Sequence, residues 1–498
     1  MRIETDQIDG VPVLWSRIEG PRFGALMFGV GRAHEPAAVG GIGHLVEHLA
    51  LAPLTQQAYG HNGFVAANRT VLHASGTDDE LVQFFGHVAS ALEGLPLGRL
   101  LMERRILRQE SRERVVATTA QMLWLRFGDV GHGLVGSDEL GLGWLGPDRV
   151  AAWARSWYTR DNAVLWLSGP PPDGLRLPLP AGRRPEPIPL GTIDGVGFPA
   201  HASFGTGSVA ISCLAPRGAD AVIALSGAAR RAREVLRFER GLVYDVRSDY
   251  EALDADTAHC LLGADCDAGQ APVVAVSLMR TLDEIAADGL SADEIARERR
   301  GYLDAISIPQ SGMGFLDGAA QRVLAGRPIE QPDEITAEYE AVTPGATAKA
   351  MRTALETVLL RSPGNPPPGR PWRHYPEAST RFVDGKDHRP IGWPLQNRKR
   401  KDRLVVGSDG VTWSSGQGQM LTVRYDDCVA YIHRSHWHGG QRELRGADGI
   451  RVLVGASDWQ GGGRILREMD ERMGRELVVC AEHGVDGLPD PQDDQRTG

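Results

Sequence analysis

The sequence predicts an α+β protein: two α+β lobes of similar size, then a small antiparallel β barrel or sandwich with one capping helix. Three observations predict it. Strand-like apolar runs followed by long amphipathic helical stretches occur twice, over about 1–170 and 195–356. Residues 404–481 carry short alternating strands separated by turn residues. Two stretches rich in Pro and Gly, 169–190 and 362–403, punctuate the chain between these blocks. The expected division is a first lobe 1–170, a linker 171–194, a second lobe 195–356, a Pro-rich and basic linker 357–403, a β-rich module 404–481 and a disordered tail 482–498.

In the first lobe VPVLW at 11–15 and GALMFGV at 24–30 read as strands, and FVAANRTVLHAS at 64–75 as a further one. Thr77 with Glu80 forms a capping box ahead of the amphipathic LVQFFGHVASAL. In the second lobe the order is strand 207–215, a helix around 219–240, a strand near 257–264 and a helical run 271–288. Ser291 with Glu294 starts another capped helix. The matching order of elements suggests an internal duplication. The last block alternates through LVVGSDGVTWSS, MLTVRYDDCVAYIH and RELRGADGIRVLVG, and a single helix near 459–473 ends it. Its own apolar positions and the polar connection before it predict a separable module. A chain ending at residue 360 is therefore expected to stay folded and keep its site.

Composition narrows the function classes. A chain of 498 residues exceeds what one hydrophobic core organises. Hydrophobic residues at 42% and charged residues at 24% exclude wholesale disorder. A net charge of −10 argues against a general nucleic-acid binder, which needs a basic footprint. Cys213, Cys260, Cys266, Cys428 and Cys480 are scattered without CxxC spacing, which fits buried, reduced thiols rather than a disulfide framework. The first ten residues are charged where a signal peptide needs an apolar run, and no stretch approaches the about 18 apolar residues of a membrane span. A cytoplasmic protein without membrane insertion is expected.

The string GGIGHLVEHLAL at 40–51 carries the chemistry. His44 and His48, four apart on a helix, project from one face and can share a metal ion through neutral nitrogens. Glu47 lies beside them, placed to take a proton from a metal-bound water without being a ligand. This is the inverted order H-x-x-E-H. A catalytic zinc site also needs a third protein ligand. ERRILRQE at 103–110 sets Glu103 and Glu110 two turns apart on one helix face, with Ile106 and Leu107 between them as core anchors. HRSHWH adds His433, His436 and His438, but no carboxylate or thiol completes a set, and a polar hairpin tip is the expectation there.

Together these strings resemble the pitrilysin/insulinase family of zinc metallopeptidases, the mitochondrial-processing-peptidase-like group. MFGVGRAHEPAAVGGIGHLVEHL is similar to its glycine-rich approach and first motif, ERRILRQE to its distal motif, and DELGLGWLGPDRVAAWARSWYTRDNAVLWLSG at 138–169 to the end of its first lobe. The resemblance implies that His44, His48 and Glu110 bind Zn²⁺, that Glu47 is the general base and that Glu103 supports the site from behind the ligands. RFERGLVY at 237–244 resembles the second-lobe motif whose Arg and Tyr face substrate, here Arg237 and Tyr244. Asn68 stands one place from where the family often has Asn, and whether it contacts substrate is left open by the sequence.

The resemblance covers about 1–355, one half of the family's clamshell. It implies a homodimer, or a heterodimer with a related subunit, and a peptide substrate. The activity implied is that of a zinc endopeptidase acting on peptides or unfolded segments. The alternatives are a non-catalytic scaffold or chaperone-like subunit of the same fold, and a dedicated leader-peptide or biosynthetic maturation protease. The C-terminal block resembles bacterial pleckstrin-homology-like modules, a fold that hosts many binding roles.

Overall fold

The computed structural model describes residues 1–54, 59–113, 117–191, 193–205, 207–307, 312–391, 401–434 and 440–480. The first lobe forms a six-stranded sheet from Glu4–Ile8 (β1), Val11–Trp15 (β2), Arg22–Phe28 (β3), Gly60–Val65 (β4), Thr70–Gly76 (β5) and Ala163–Leu167 (β6). Its order is β1-β2-β6-β3-β5-β4, with β2–β6 parallel and the remaining pairs antiparallel. Helices Ile42–Leu51 (α1), Asp78–Glu93 (α2), Leu100–Glu113 (α3), Thr118–Phe127 (α4) and Pro147–Trp157 (α5) complete the lobe. Thr77 caps α2 as expected: its Oγ1 accepts from Glu80 N at 3.3 Å while Glu80 Oε2 accepts from Thr77 N at 2.7 Å. The stretch 64–75 is not one strand. Ala66 N donates to Arg69 O at 2.8 Å, and this turn folds it into the β4–β5 hairpin.

The second lobe repeats the pattern with Ala200–Ala202 (β7), Ser208–Pro216 (β8), Val246–Ala252 (β9), Thr257–Asp265 (β10), Leu359–Arg361 (β11) and Arg373–His374 (β12). Its order, β12-β7-β11-β8-β10-β9, has the same parallel pair, β7–β11, at the position of β2–β6, and β8, β10 and β9 follow as β3, β5 and β4 do. Helix Ala219–Arg233 (α6) continues into a wider π-helical turn at Glu234–Glu239. Helices Ala271–Asp288 (α7), Ala292–Ser307 (α8), Gly312–Leu324 (α9), Pro332–Glu340 (α10) and Pro344–Leu355 (α11) follow. Five strands of each sheet therefore correspond, with α1 and α6 in equivalent places; the edge strands differ, β12 joining β7 in parallel where β1 joins β2 antiparallel.

The lobes exchange helices. α9 lays Phe315, Leu316, Ala319 and Ala320 against Met27, Val164 and Trp166 of the first sheet, while α4 sends Met122 and Leu125 to Ala210, Leu261 and Leu359 of the second. Arg126, 1% exposed, fixes that second contact: its Nη2 donates to Ser212 O and Thr357 O, each at 2.8 Å.

The third region contains Gly385–His388 (β13), Arg403–Gly407 (β14), Gly410–Ser414 (β15) and Met420–Arg424 (β16) in one sheet, in that order. Cys428–Arg434 (β17), Gln441–Gly446 (β18), Arg451–Gly455 (β19) and Val478–Cys480 (β20) form another, ordered β19-β18-β17-β20. Both sheets and helix Gly462–Asp470 (α12) share one core through Leu404, Val423, Tyr431, Leu444, Ile465 and Met469. Of the two expected forms it is two packed sheets with one helix and not a closed barrel. The stretch read as the linker 357–403 supplies β11 and β12 to the second sheet and β13 to the third. The earlier stretch 171–194 has no regular element in its described residues, yet Leu175, Leu177 and Leu179 are buried in the first core. Tail residues 482–498 lie outside the described residues.

The third region also packs on the first lobe. Ala430, Ile432 and Val479 bury Ala37, Ala38 and Leu134. Arg445 Nη2 donates to Asp138 Oδ2 at 3.0 Å, and Asp129 N donates to Ala447 O at 3.0 Å. Ala37 and Ala38 lie just before α1, and this apolar contact holds them. Cys213, Cys260 and Cys428 are buried. Among the described residues no helix is long and apolar enough to cross a membrane.

Candidate metal centre

Helix α1 begins at Gly41, whose φ of +91° lies in the left-handed region; a Cβ there would also lie 2.9 Å from Glu139 Cβ. The buried carboxylate of Glu35 accepts from Gly41 N at 2.7 Å and Gly43 N at 2.9 Å, which satisfies the open amides of this helix start. Arg32 lies against the same carboxylate and donates to Asp138 O at 2.8 Å. Tyr158 supports the next residue, its hydroxyl donating to Gly43 O at 3.3 Å. The first turn of α1 is thus held from three sides before any ligand is reached.

Four-residue spacing puts the rings of His44 and His48 edge to face with centroids 5.0 Å apart. Each Nδ1 meets a carboxylate: Glu139 Oε1 at 3.1 Å for His44 and Glu103 Oε2 at 3.3 Å for His48. Those carboxylates are held in turn. Glu103 Oε1 accepts from Arg99 Nε at 3.1 Å and Nη2 at 2.9 Å, and Glu139 Oε2 accepts from Ser111 Oγ at 2.8 Å. With both Nδ1 atoms engaged, the two Nε2 atoms are the free lone pairs.

Both Nε2 atoms converge on two further carboxylates. Glu110 Oε2 stands 3.7 Å from His44 Nε2 and 3.9 Å from His48 Nε2. Glu47 Oε2 stands 3.9 and 3.8 Å from the same atoms. Tetrahedral ligands at about 2.0–2.1 Å from zinc stand about 3.4 Å apart, so this donor set fits a zinc ion with little movement. The ligand atoms of His44, Glu47 and His48 all lie within 4.8 Å of one another. Equal distances leave the roles of the two acids to their surroundings. The Glu110 side chain is 46% exposed, whereas that of Glu47 is enclosed at 5%. Gly63 on edge strand β4 lies so close that a Cβ there would collide with the Glu47 carboxylate.

Charge follows this packing. Burial raises the Glu47 carboxyl to about 7, against the lowering effect of His44 and with the repulsion of Glu110 and Glu103. Burial pulls the His44 imidazole down, but the Glu139 hydrogen bond and charge outweigh it and hold it above its ordinary value. His48 is lowered by burial and by the neighbouring His44. Burial pushes Glu139 up, yet the His44 hydrogen bond and charge win and hold it at about 2.

The structure brings His44, Glu47 and His48 of α1 together with Glu103 and Glu110 of α3. On α3 Leu107 is fully buried, but Ile106 is 46% exposed and does not anchor the helix: the buried side runs through 103, 104 and 107, while 106 and 110 lie at its open edge. Arg237 and Tyr244 also meet, the guanidinium lying 4.9 Å from the Tyr244 ring centroid. They stand at the end of the π-helical turn and on the loop before β9, with Phe238 and Tyr244 65% and 81% exposed. Asn68 Nδ2 donates to Ala252 O at 3.4 Å, bridging the lobes at β9. His433 pairs with Asp470 Oδ1 at 3.4 Å; His436 and His438 lie outside the described residues. Sequence reasoning missed Glu139, Arg99, Ser111, Glu35 and Arg32. Glu139 lies inside the string matched for its glycines, and an isolated acid there has no spacing signal.

No family model matches the chain, and no curated protein matches it. Solved structures do. The first half of the periplasmic protease PqqL from Escherichia coli aligns over 72% of this chain and 91% of its own, with TM-score 0.57 and 14% identity. The peptidase M16 inactive domain from Pseudomonas fluorescens aligns over 74% and 100%, with TM-score 0.58 and 14% identity. A chain of complex III2 from Candida albicans aligns over 72% and 95%, with TM-score 0.59 and 13% identity. Against the longer chain of the periplasmic protease PqqL from Escherichia coli, the match spans 55% of that chain's length. Two sheets that share a five-strand order, with the H-x-x-E-H helix in the first lobe and α6 as its counterpart in the second, match these neighbours and give this chain the fold of an M16, pitrilysin-type peptidase half.

Proposed function

We propose that the chain is a zinc-dependent endopeptidase acting on peptides or unfolded segments. The observation that carries this is the convergence of both imidazole Nε2 atoms on Glu110 and Glu47 while each Nδ1 is anchored by its own carboxylate. His44, His48 and Glu110 would hold zinc, with Glu103 and Glu139 fixing the rings. When bound, the ion polarises a scissile carbonyl and acidifies a water. Glu47 takes the water's proton and passes it to the leaving amine, a task suited to a carboxyl near neutrality. A substrate strand adds to β4, which ends the first sheet, so backbone bonding supplies much of the affinity.

Arg237 clamps a peptide carbonyl or carboxylate, and the Tyr244 hydroxyl steadies a developing oxyanion. The exposure of Tyr244 and of Phe238 beside Arg237 supports a chamber shared with a second copy or a related subunit. Glu47→Gln should keep about one zinc per chain and lose hydrolysis, while His44→Ala, His48→Ala and Glu110→Ala should lose the metal too. Peptide profiling by mass spectrometry, with and without chelator, reads the activity and the cleavage site. A dedicated maturation protease is the narrow form of this reading. The scaffold reading draws on the inactive M16 domain among the similar structures. It holds if wild-type protein neither binds zinc nor cleaves.

A further inference from the structure

Cys213 on β8 and Cys260 on β10 stand directly opposite each other across the two antiparallel strands. Opposed residues share a face of the sheet, with Cβ atoms about 4.5–5.5 Å apart. Here that face is the buried one, packed by α6, α7 and α11. A cavity of about 20 Å³ lies against the pair, room for one atom or one water but for no organic molecule. Both cysteines line it together with Met351 of α11, and Ala221 and Ala224 of α6 and Ala350 of α11 are small enough to leave the space. Cys213, Cys260 and Met351 keep 4, 7 and 5% of their surface accessible, and the partly buried Ala350 carries the lining towards solvent.

The donors decide what fits. Two thiols and a thioether are soft ligands, and no imidazole or carboxylate stands with them in the described lining. A water needs two to four polar partners, which these apolar walls do not offer. Zinc takes four strong ligands, so two thiols and a thioether leave it short. Thiolate and thioether groups select Cu(I) instead. A metal–thiolate bond is about 2.3 Å long, so two in line span about 4.6 Å, close to the separation of opposed residues. We propose that Cys213 and Cys260 bind one Cu(I) ion between β8 and β10, with Met351 as a third, weaker donor. Both S–H bonds break, the two protons leave to solvent and two S–Cu bonds form, with no change of oxidation state.

The charge closes as well. Two thiolates and one Cu(I) carry −1, which is costly to bury alone. Arg126, 1% exposed, lies on the opposite face of the same strands, bonded to Ser212 and, among the described residues, to no acid. Its buried positive charge offsets that of the complex. Burial pushes the free thiols up, Cys213 to about 11 and Cys260 to about 12, with Arg126 acting against it on both. The ion therefore displaces protons at pH 7, and its affinity rises with pH.

The test titrates the full, reduced chain with Cu(I) in the absence of oxygen, one equivalent of zinc being present and bicinchoninate serving as competitor. Copper K-edge X-ray absorption reads the donors, and so separates this site from the histidine centre whether or not zinc fills that centre. One Cu(I) per chain should bind, with sulfur neighbours alone. Cys213→Ala and Cys260→Ala should each weaken it about 100-fold, and Met351→Leu, which keeps the volume, about fivefold. Cys266→Ser/Cys480→Ser, which removes the two thiols that are not buried, should leave the affinity unchanged. Nitrogen neighbours, wild-type affinity in Cys213→Ala/Cys260→Ala, or loss of all copper to the competitor would each overturn the proposal. If the cysteine variants fail to fold, the donor type and Met351→Leu still decide: wild-type affinity in Met351→Leu together with any nitrogen donor would sink it.

Discussion

Replacing Glu139 tests whether the candidate centre is built as described, because this acid touches a ligand ring without being a ligand. Its Oε1 holds His44 Nδ1 at 3.1 Å and its Oε2 is held by Ser111 Oγ at 2.8 Å. Groups in this position fix the ring's tautomer and raise its basicity, and their loss typically weakens metal binding about 10–100-fold. Each tenfold corresponds to about 1.4 kcal/mol, so the expected loss is about 1.4–2.7 kcal/mol of zinc affinity. Glu139→Gln keeps an acceptor for Nδ1 and should fall at the low end. Glu139→Ala also leaves a buried ring nitrogen unpartnered and should fall at the high end. Ser111→Ala removes one hydrogen bond from the supporting acid and should cost less than tenfold. Zinc affinity is measured by competition with a chromogenic chelator at constant pH, beside thermal unfolding of the metal-free proteins to separate folding from binding. Wild-type zinc affinity in Glu139→Ala would refute the role of this carboxylate, and an effect of Ser111→Ala larger than that of Glu139→Ala would refute the order of the chain.

Gly63→Ala should keep zinc yet lower kcat at least tenfold, because the new methyl displaces the Glu47 carboxylate but no ligand; zinc content and peptide turnover measure the two. Stability should fall on acidification below pH 6.5, because burial holds His132 at about 4 and His259 at about 3. The unfolded chain binds more protons in that window, each histidine contributes up to about 1.4 kcal/mol per pH unit, and urea midpoints at pH 7.5 and 5.5 should show His132→Phe declining less than wild type.

The parts of the site that follow a helical repeat were legible in the sequence. His44 and His48 at i, i+4 and Glu103 and Glu110 at i, i+7 declare a shared face wherever the helix sits. Arg237 and Tyr244 were legible only through resemblance, since a π-helical turn and a loop have no period. Glu139 was hidden because it reaches His44 across 95 residues from an irregular segment, where contact depends on the tertiary fold alone. Strands followed the same rule. The apolar β2 was read to the residue, while β1, with the sequence ETDQI, and β9, with VRSDYEA, are polar edge strands that carry no apolar alternation. β11 to β13 were read as linker because strands of two to four residues among prolines are too short to show a period.

A polar connection does not by itself make the third region separable. The linker's composition describes its own solvation, but separability depends on the surface each side buries. Here β17 and β20 cover Ala37, Ala38 and Leu134, and Ala37 and Ala38 lie in the turn that leads into α1. Arg445, itself buried and paired with Glu443 at 2.7 Å, reaches Asp138 beside Glu139. Truncation after residue 360 would expose those apolar residues and remove the Arg445 contact from the segment that positions Glu139, and it would also strip β12 from the second sheet. The truncated chain should therefore be poorly soluble, or bind zinc at least tenfold more weakly than the full chain. A milder version separates the two effects: Arg445→Met leaves the apolar contact and removes the charge pairs with Asp138 and Glu443, the latter keeping Arg434 as a partner at 2.8 Å. It should keep the protein folded while reducing zinc affinity less than Glu139→Ala does. Soluble, fully metallated 1–360 protein with wild-type turnover would show that the contact adds nothing to the centre, and the third region would then be a passenger on the peptidase fold.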